Sequence, residues 1–464
     1  MSIQAAVVVP HPPIILPEVG RGEEEKISAT SSAYMEISRR IVELAPDTII
    51  ITSPHSMMYA DYFHISPGET AEGNMSRFRA PEVDLTINYD AEFADRLGEN
   101  AMAENIPAGK MGEREKTLDH GTLIPIYFLE KAGLDLSAVK FVRIGLSGLS
   151  NDVHYKFGQT ISRTVDELSR RVVFIASGDL SHKLKADGPY GYVEEGPKFD
   201  AEVMDNLGGA DFLRLLTMDN AMCNRAAECG LRSFWIMAGA LDKKSVAAEK
   251  LSYEGTFGVG YGVVWFEVGG EDTGRNFDVQ LKNFKLEKSA ERKSHEDAYV
   301  KLARLSLETF VKTHKPAEMP KDLPAEMTDN RAGTFVSLHK DGELRGCIGT
   351  FLPTTDSIAQ EILQNAISAC SRDPRFSPVE VSELDDIEYS VDVLAEPERV
   401  FDIKDLDAKK YGVIVENNGR RGLLLPDLEG INTPLEQIAI AKRKASIPAN
   451  EKVHVWRFEV IRHH

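Results

Sequence analysis

Three histidines stand where short β-branched runs end. In VVVPHPP, His11 lies two residues past a strand-like run, and in IIITSPHS, His55 lies three residues past another. The segment VVFIASGDLSH puts Asp179 and His182 just beyond a third. Open parallel sheets gather ligands outside the carboxyl ends of their strands, so these side chains can converge although they are far apart in the chain. Neutral imidazoles and a carboxylate around one cleft suit a metal ion. Two histidines and one carboxylate on one face of it leave three positions open, as in non-haem Fe(II) oxygenases. Two acids compete for the carboxylate role. Glu228, in AAECGLRSFWIMAGAL, interrupts an otherwise apolar helical pattern, where an acid is costly unless paired or metal-bound. Asp179 is the alternative. His120, in LDHGTLIPIYFLEKAG, precedes a helical pattern, and the glycine after it permits close backbone approach. His64 and His154 have no such placement and read as structural or exposed.

The elements that must position these groups are legible from periodicity. Ala5–Val9, Thr48–Thr52, Val139–Ile144 and Val172–Ala176 read as buried strands, and Ala33–Leu44 and Phe157–Arg170 as amphipathic helices between them. That alternation predicts an α/β fold with a mostly parallel sheet flanked by helices. Tyr253–Val268, interrupted by Gly255, Gly258, Gly260 and Gly262, reads as a closing, bulged strand and not as a nucleotide loop, because it lacks G-x-G-x-x-G spacing. Residues 269–289 lapse into GGEDTG and mixed polar sequence and are expected to link a first domain, 1–268, to a second, smaller α/β domain, 290–464. The second opens with a helix expected over Glu291–Lys312. Strands are expected at Thr334–Leu338, Ile387–Leu394, Gly412–Val415 and Gly422–Leu425, with a helix at Ile358–Cys370.

Bulk properties exclude several classes. A chain of 464 residues with 42% apolar and 27% charged residues can bury two or more cores. The net charge of −19, with no basic run to offset it, argues against nucleic acid as a partner. Four cysteines without C-x-x-C spacing exclude a disulfide framework and a zinc ribbon. No apolar run approaches the ~18 residues of a membrane span, and no basic n-region opens the chain. A reducing, cytoplasmic location is expected, and a homo-oligomer is compatible with the sequence. H-E-x-x-H, G-x-S-x-G and P-loop motifs are missing, so metalloprotease, serine hydrolase and NTPase chemistry receive no support.

The motifs PHPP, SPHS, DHGT, SGDLSH and the E-C-G segment, in this order over residues 3–267, resemble the class III extradiol ring-cleaving dioxygenases of the LigB type and the related Memo family. The resemblance implies Fe(II), with zinc or another divalent metal as alternatives, held by His11, His55 and Glu228. It further implies His182 as the acid/base residue and His120 as a second pocket histidine, acting on a catechol-like aromatic substrate and O2. Memo-like relatives use a cysteine near the third ligand position, and Cys229 adjoins Glu228. A thiolate there would favour softer metals and a metal-binding scaffold or redox protein over ring cleavage. Beyond residue 290, LRGCIGTF, DPRFSPV, SVDVLAEPE and YGVIVENNGRRGLLLPDLEG resemble the AMMECR family, which implies a compact α/β domain. Arg345 and Cys347 in a glycine turn can form an anion site or a nucleophile, but a buried structural cysteine is the simpler reading.

Overall fold

The structure, a computed structural model, describes residues 2–340, 342–428 and 430–464. The chain forms two compact units, Met1–Lys282 and Asn283–His464. Strands of the first unit are β1 (Ile3–Val9), β2 (Thr48–Ser53), β3 (Phe63–His64), β4 (Thr70–Met75), β5 (Ala80–Tyr89), β6 (Ala108–Gly109), β7 (Lys140–Gly145), β8 (Val172–Ser177), β9 (Lys244–Glu254) and β10 (Tyr261–Glu271). Eight of them form one sheet in the order β4-β5-β7-β2-β8-β1-β10-β9. Its centre, from β5 to β1, is parallel, and antiparallel strands close both edges. The β-branched runs are buried on both faces: Ala6 and Val8 of β1 join one core with Ile50 and Phe174, while Ala5, Val7 and Val9 join the other with Ile49, Ile51 and Ile175. Such continuous apolar strands form the middle of a sheet covered on both sides by helices.

One expectation needs correction here. Tyr253–Val268 is not one strand: β9 and β10 pair antiparallel, and Gly255–Gly260 form the reversal, with Gly258 at φ +83°. The glycines that suggested a bulge make the turn. Segment 269–289 holds the end of β10, a 3-10 turn at Thr273–Arg275 and the start of a helix, Phe277–His295. Phe277 and Leu281 from that helix are buried in the first unit's core.

The second unit contains β11 (Thr334–Lys340), β12 (Glu343–Gly349), β13 (Ile387–Leu394), β14 (Glu398–Val400), β15 (Gly412–Asn417), β16 (Arg420–Leu424), β17 (His454–Phe458) and β18 (Val460–His463). They make two antiparallel sheets, β12-β11-β13-β18 and β14-β17-β15-β16. Helices Ala298–Thr313 and Ile358–Ser371 cover the first of these through Leu302, Leu307, Ile362 and Ala366. The single helix expected over Glu291–Lys312 is two helices, because Asp297 caps a new N-terminus by accepting from the Tyr299 and Val300 N–H groups. Among the described residues no helix is long and apolar enough to cross a membrane.

Candidate metal centre

β1, β8 and β2 are adjacent and parallel, so the chain leaves all three at the same end of the sheet. Immediately beyond those ends lie His11, Asp179 with His182, and His55. The topology therefore converts three distant segments into one cluster.

His11 is the vertex. It is fully buried, and its Nδ1 lies 2.9 Å from Ser177 Oγ. The Ser177 hydroxyl donates its only proton to the Gly121 carbonyl at 2.7 Å, so it must accept from His11 Nδ1–H. His11 Nε2 is then left with a lone pair. It points toward His55 Nε2 at 3.0 Å and Cys229 Sγ at 3.6 Å, with Asp179 Oδ2 at 4.0 Å. Adjacent ligand positions on a first-row metal, at about 2.0–2.3 Å from the ion, place N···N and N···S pairs roughly 3.0–3.6 Å apart, so the donor set fits a metal ion. Two groups have metal-like spacing among the described residues: His11, His55 and His120, and His11, Asp179 and Cys229. They share His11.

Electrostatics keep two of the imidazoles neutral and oppose ionisation of the acid and the thiol. Burial, with His55 adding to it, pushes His11 down to about 3, so its imidazole is neutral at physiological pH. His120 is likewise lowered to about 3 by burial and by His55. Burial raises Asp179 to about 6 against the opposing hydrogen bond from the His11 N–H. The Cys229 thiol is raised well above its ordinary value by burial and by Asp179, so it stays protonated until a cation displaces the proton. The Asp179 N–H donates to Cys229 Sγ at 3.3 Å.

His120 opens helix His120–Lys131. The cap is Asp119, whose Oδ1 accepts from the Thr122 N–H at 3.1 Å and from Ser53 Oγ at 2.6 Å. This one carboxylate ties the end of β2 to the helix that carries His120. Gly121 has no room for a side chain: a Cβ would lie 2.5 Å from Ser53 Oγ and 3.4 Å from His11 Nδ1. The His120 ring packs 4.1 Å from His55 and 5.2 Å from Phe78, centroid to centroid. His182 stacks on the exposed Tyr190 ring at 5.1 Å, and its buried Nε2 has no hydrogen-bond partner. Burial lowers its pKa, so it is a neutral base with an unused nitrogen.

Glu228 is placed differently from the expectation. It lies in neither metal-like group and not on a helix, but in the bend between helices Asn220–Ala226 and Leu231–Ala240. Its Oε2 accepts from the Leu231 N–H at 2.6 Å, so the acid in an apolar pattern caps the next helix. Its neighbour Cys229 is the residue whose sulfur reaches the cluster. His64 and His154 are fully buried outside these groups.

Sequence reasoning missed several supporting residues. Asp119 was detectable as a capping residue before a helical pattern. Ser177 and Gly260 carried no separate signal. Gly260 exchanges backbone hydrogen bonds with the Asp179–His182 loop, receiving one from Leu180 and giving one to Ser181, both at 2.8 Å. A Cβ at Gly260 would strike the Asp200 carboxylate at 2.1 Å.

The family model described as the catalytic LigB subunit of aromatic ring-opening dioxygenase matches residues 5–264, and the AMMECR1 model matches residues 300–463. A protein of Clostridium acetobutylicum is 43% identical over 471 aligned positions, covering 100% of this chain and 99% of its own. One from Thermotoga maritima is 54% identical over 170 positions, covering 36% of this chain and 98% of that protein. Among solved structures, an uncharacterized protein of Escherichia coli K12 is 16% identical with a TM-score of 0.39, covering 56% of this chain and 99% of that one. An uncharacterized protein of Pyrococcus horikoshii is 32% identical with a TM-score of 0.34, covering 35% of this chain and 88% of that one.

Proposed function

The chain belongs to the family of the catalytic LigB subunit of aromatic ring-opening dioxygenase and carries a C-terminal AMMECR1 domain, and from that premise we propose that its first unit is a metal-dependent redox centre of the Memo kind, with His11, His55 and Cys229 as ligands. The supporting observation is the unprotonated His11 Nε2, which faces His55 Nε2 at 3.0 Å and Cys229 Sγ at 3.6 Å. Nitrogen and thiolate donors together suit iron, zinc or copper better than magnesium or calcium. Such a metal, when bound, supplies Lewis acidity and, if iron or copper, one-electron exchange with a reactant at its open positions.

The chain's own residues do the rest. Ser177 holds the His11 tautomer, as second-sphere partners of metal-binding histidines commonly do. His55 is exposed and His11 buried, so the reactant enters from the His55 side. His182 Nε2, neutral and unpartnered, takes a proton from a hydroxyl of the reactant. The rings of Phe78 and Tyr190, packed on His120 and His182, give a flat aromatic reactant apolar surfaces to lie against.

A second reading has its own observation. Asp179 Oδ2 is 4.0 Å from His11 Nε2, so His11, His55 and Asp179 can supply the two-histidine, one-carboxylate set of an Fe(II) extradiol dioxygenase acting on a catechol and O2. Cobalt substitution separates the readings. A thiolate-to-cobalt charge-transfer band that disappears in Cys229→Ser supports the first. No band in the wild-type protein, with metal uptake abolished by Asp179→Asn and unaffected by Cys229→Ser, overturns it in favour of the second.

A further inference from the structure

Three of the four segments that mark the second unit in sequence meet at a place the chemistry above does not use. LRGCIGTF ends at Phe351, SVDVLAEPE runs on to Pro397, and YGVIVENNGRRGLLLPDLEG contains Ile414, Glu416 and Arg421. With Leu352 and Trp456, these residues line a cavity of about 260 Å³. Strand register explains the convergence. Ile414 pairs with Trp456 across β15 and β17, and Glu416 pairs with Arg421 across β15 and β16. Residues two apart on a strand share a face, so the apolar floor and the charged rim lie on the same side of the sheet.

The lining is chemically divided. Trp456, Phe351, Pro397 and Ile414 offer flat or apolar surfaces, and the Trp456 indole N–H makes no hydrogen bond among the described residues. At the rim, Arg421 Nε donates to Glu416 Oε2 at 2.6 Å, which orients the guanidinium. Its two terminal nitrogens make no hydrogen bond among the described residues. Arg345 and Arg457 in the same unit differ, because both terminal nitrogens of each are occupied, by Glu383, Glu398 and backbone carbonyls. An oriented guanidinium with a free fork is built to take a carboxylate in bidentate fashion. The adjacent Glu416 carboxylate repels a dianion more than a monoanion, which favours a carboxylate over a phosphate monoester. The volume falls below the ~300–1,000 Å³ of sites for larger ligands, so it suits a single ring.

We infer that this cavity is a binding site for a small aromatic monocarboxylate, its ring held among Trp456, Phe351 and Pro397 and its carboxylate on the Arg421 fork. The inference is independent of the metal centre in the first unit. The full chain labelled with 5-fluorotryptophan tests it, because the protein has three tryptophans and Trp456 is the one in the second unit. Its fluorine resonance is assigned with Trp456→Phe, and phenylacetate is titrated into the millimolar range. The expected result is a saturable shift of the Trp456 resonance, with those of Trp235 and Trp265 unmoved. Phenylacetamide, which lacks the charge, and cyclohexylacetate, which lacks the flat ring, should each bind about tenfold more weakly. Arg421→Gln should weaken phenylacetate by about tenfold, and Arg421→Lys should recover part of the loss. The proposal is overturned by a Trp456 resonance that does not move. It is equally overturned by a shift that acetate alone reproduces, or by unchanged phenylacetate affinity in a folded Arg421→Gln protein.

Discussion

At the scale of single residues, neighbouring side chains have opposite duties. Cys229 points its sulfur at His11, whereas Glu228 spends its carboxylate on a helix N-terminus. Cys229→Ser should therefore lower metal affinity by at least about tenfold with little change in melting temperature of the metal-free protein. Glu228→Ala should keep the metal and lose about 0.5–2 kcal/mol of stability, as removal of a capping acceptor does. Equilibrium dialysis and thermal unfolding of the two variants check this pair. His182→Ala should retain metal and lose about 10²-fold or more in turnover of whichever substrate is found; loss of the metal together with activity would make His182 a ligand. Asp200 makes a pH prediction. It is buried, accepts from the Ser181 N–H and the Tyr253 hydroxyl, and burial pushes it up to about 7. A carboxyl raised in the folded state favours the protonated native form. That contribution is fully present below the unfolded value of about 4 and is lost as pH rises through about 7. Asp200→Asn should thus raise the melting temperature more at pH 8 than at pH 5, and an equal effect at both would refute the assignment.

At the scale of elements, the cluster depends on loops held at the carboxyl ends of strands. Arg143, on β7, is almost wholly buried and binds across two of them. Its Nε donates to Ser66 Oγ at 2.7 Å, and its terminal nitrogens donate to the carbonyls of Thr117 at 2.9 Å and Glu115 at 3.3 Å. The first partner follows the segment that carries His55, and the others precede Asp119 and His120. Arg143→Met should cost roughly 3–5 kcal/mol, since removing a buried charge's hydrogen-bonding group strands its partners. It should also weaken metal binding although it touches no ligand. Wild-type affinity in a folded Arg143→Met protein would show that the loops hold themselves.

For the molecule as a whole, the boundary between units has energetic content. The expected linker 269–289 contains Phe277 and Leu281, both buried in the first unit's core, and the division falls after Lys282. A fragment of residues 1–282 should fold and bind metal alone, having a large core of its own. Ending the fragment at residue 272 uncovers both side chains' positions in the core and should cost several kcal/mol, about the loss seen for emptying one or two large apolar sites. Chemical denaturation of the two fragments, with metal content measured on each, distinguishes them; equal stability would show that the start of the helix at 277 contributes nothing.

Local chemistry determined much of this protein. The apolar runs at β1, β2, β7 and β8 are continuous because both faces of a central parallel strand are covered, so their type and nearly their bounds were readable in one dimension. The histidines just past those runs were readable as a candidate cluster for the same reason, since parallel strands end on one side. Tertiary structure decided whatever turns on direction. Glu228 and Cys229 are adjacent in sequence, and only the bend between two helices aims one at Leu231 and the other at His11. The glycines from 255 to 260 fit a bulge or a reversal equally well until β9 and β10 pair. The neutral, Nδ1-protonated state of His11 depends on a serine 166 residues away, whose own proton is committed to Gly121. Spacing along a chain limits which residues can meet, but the rotation of each side chain about its backbone is set by packing, and ligand identity follows from that rotation.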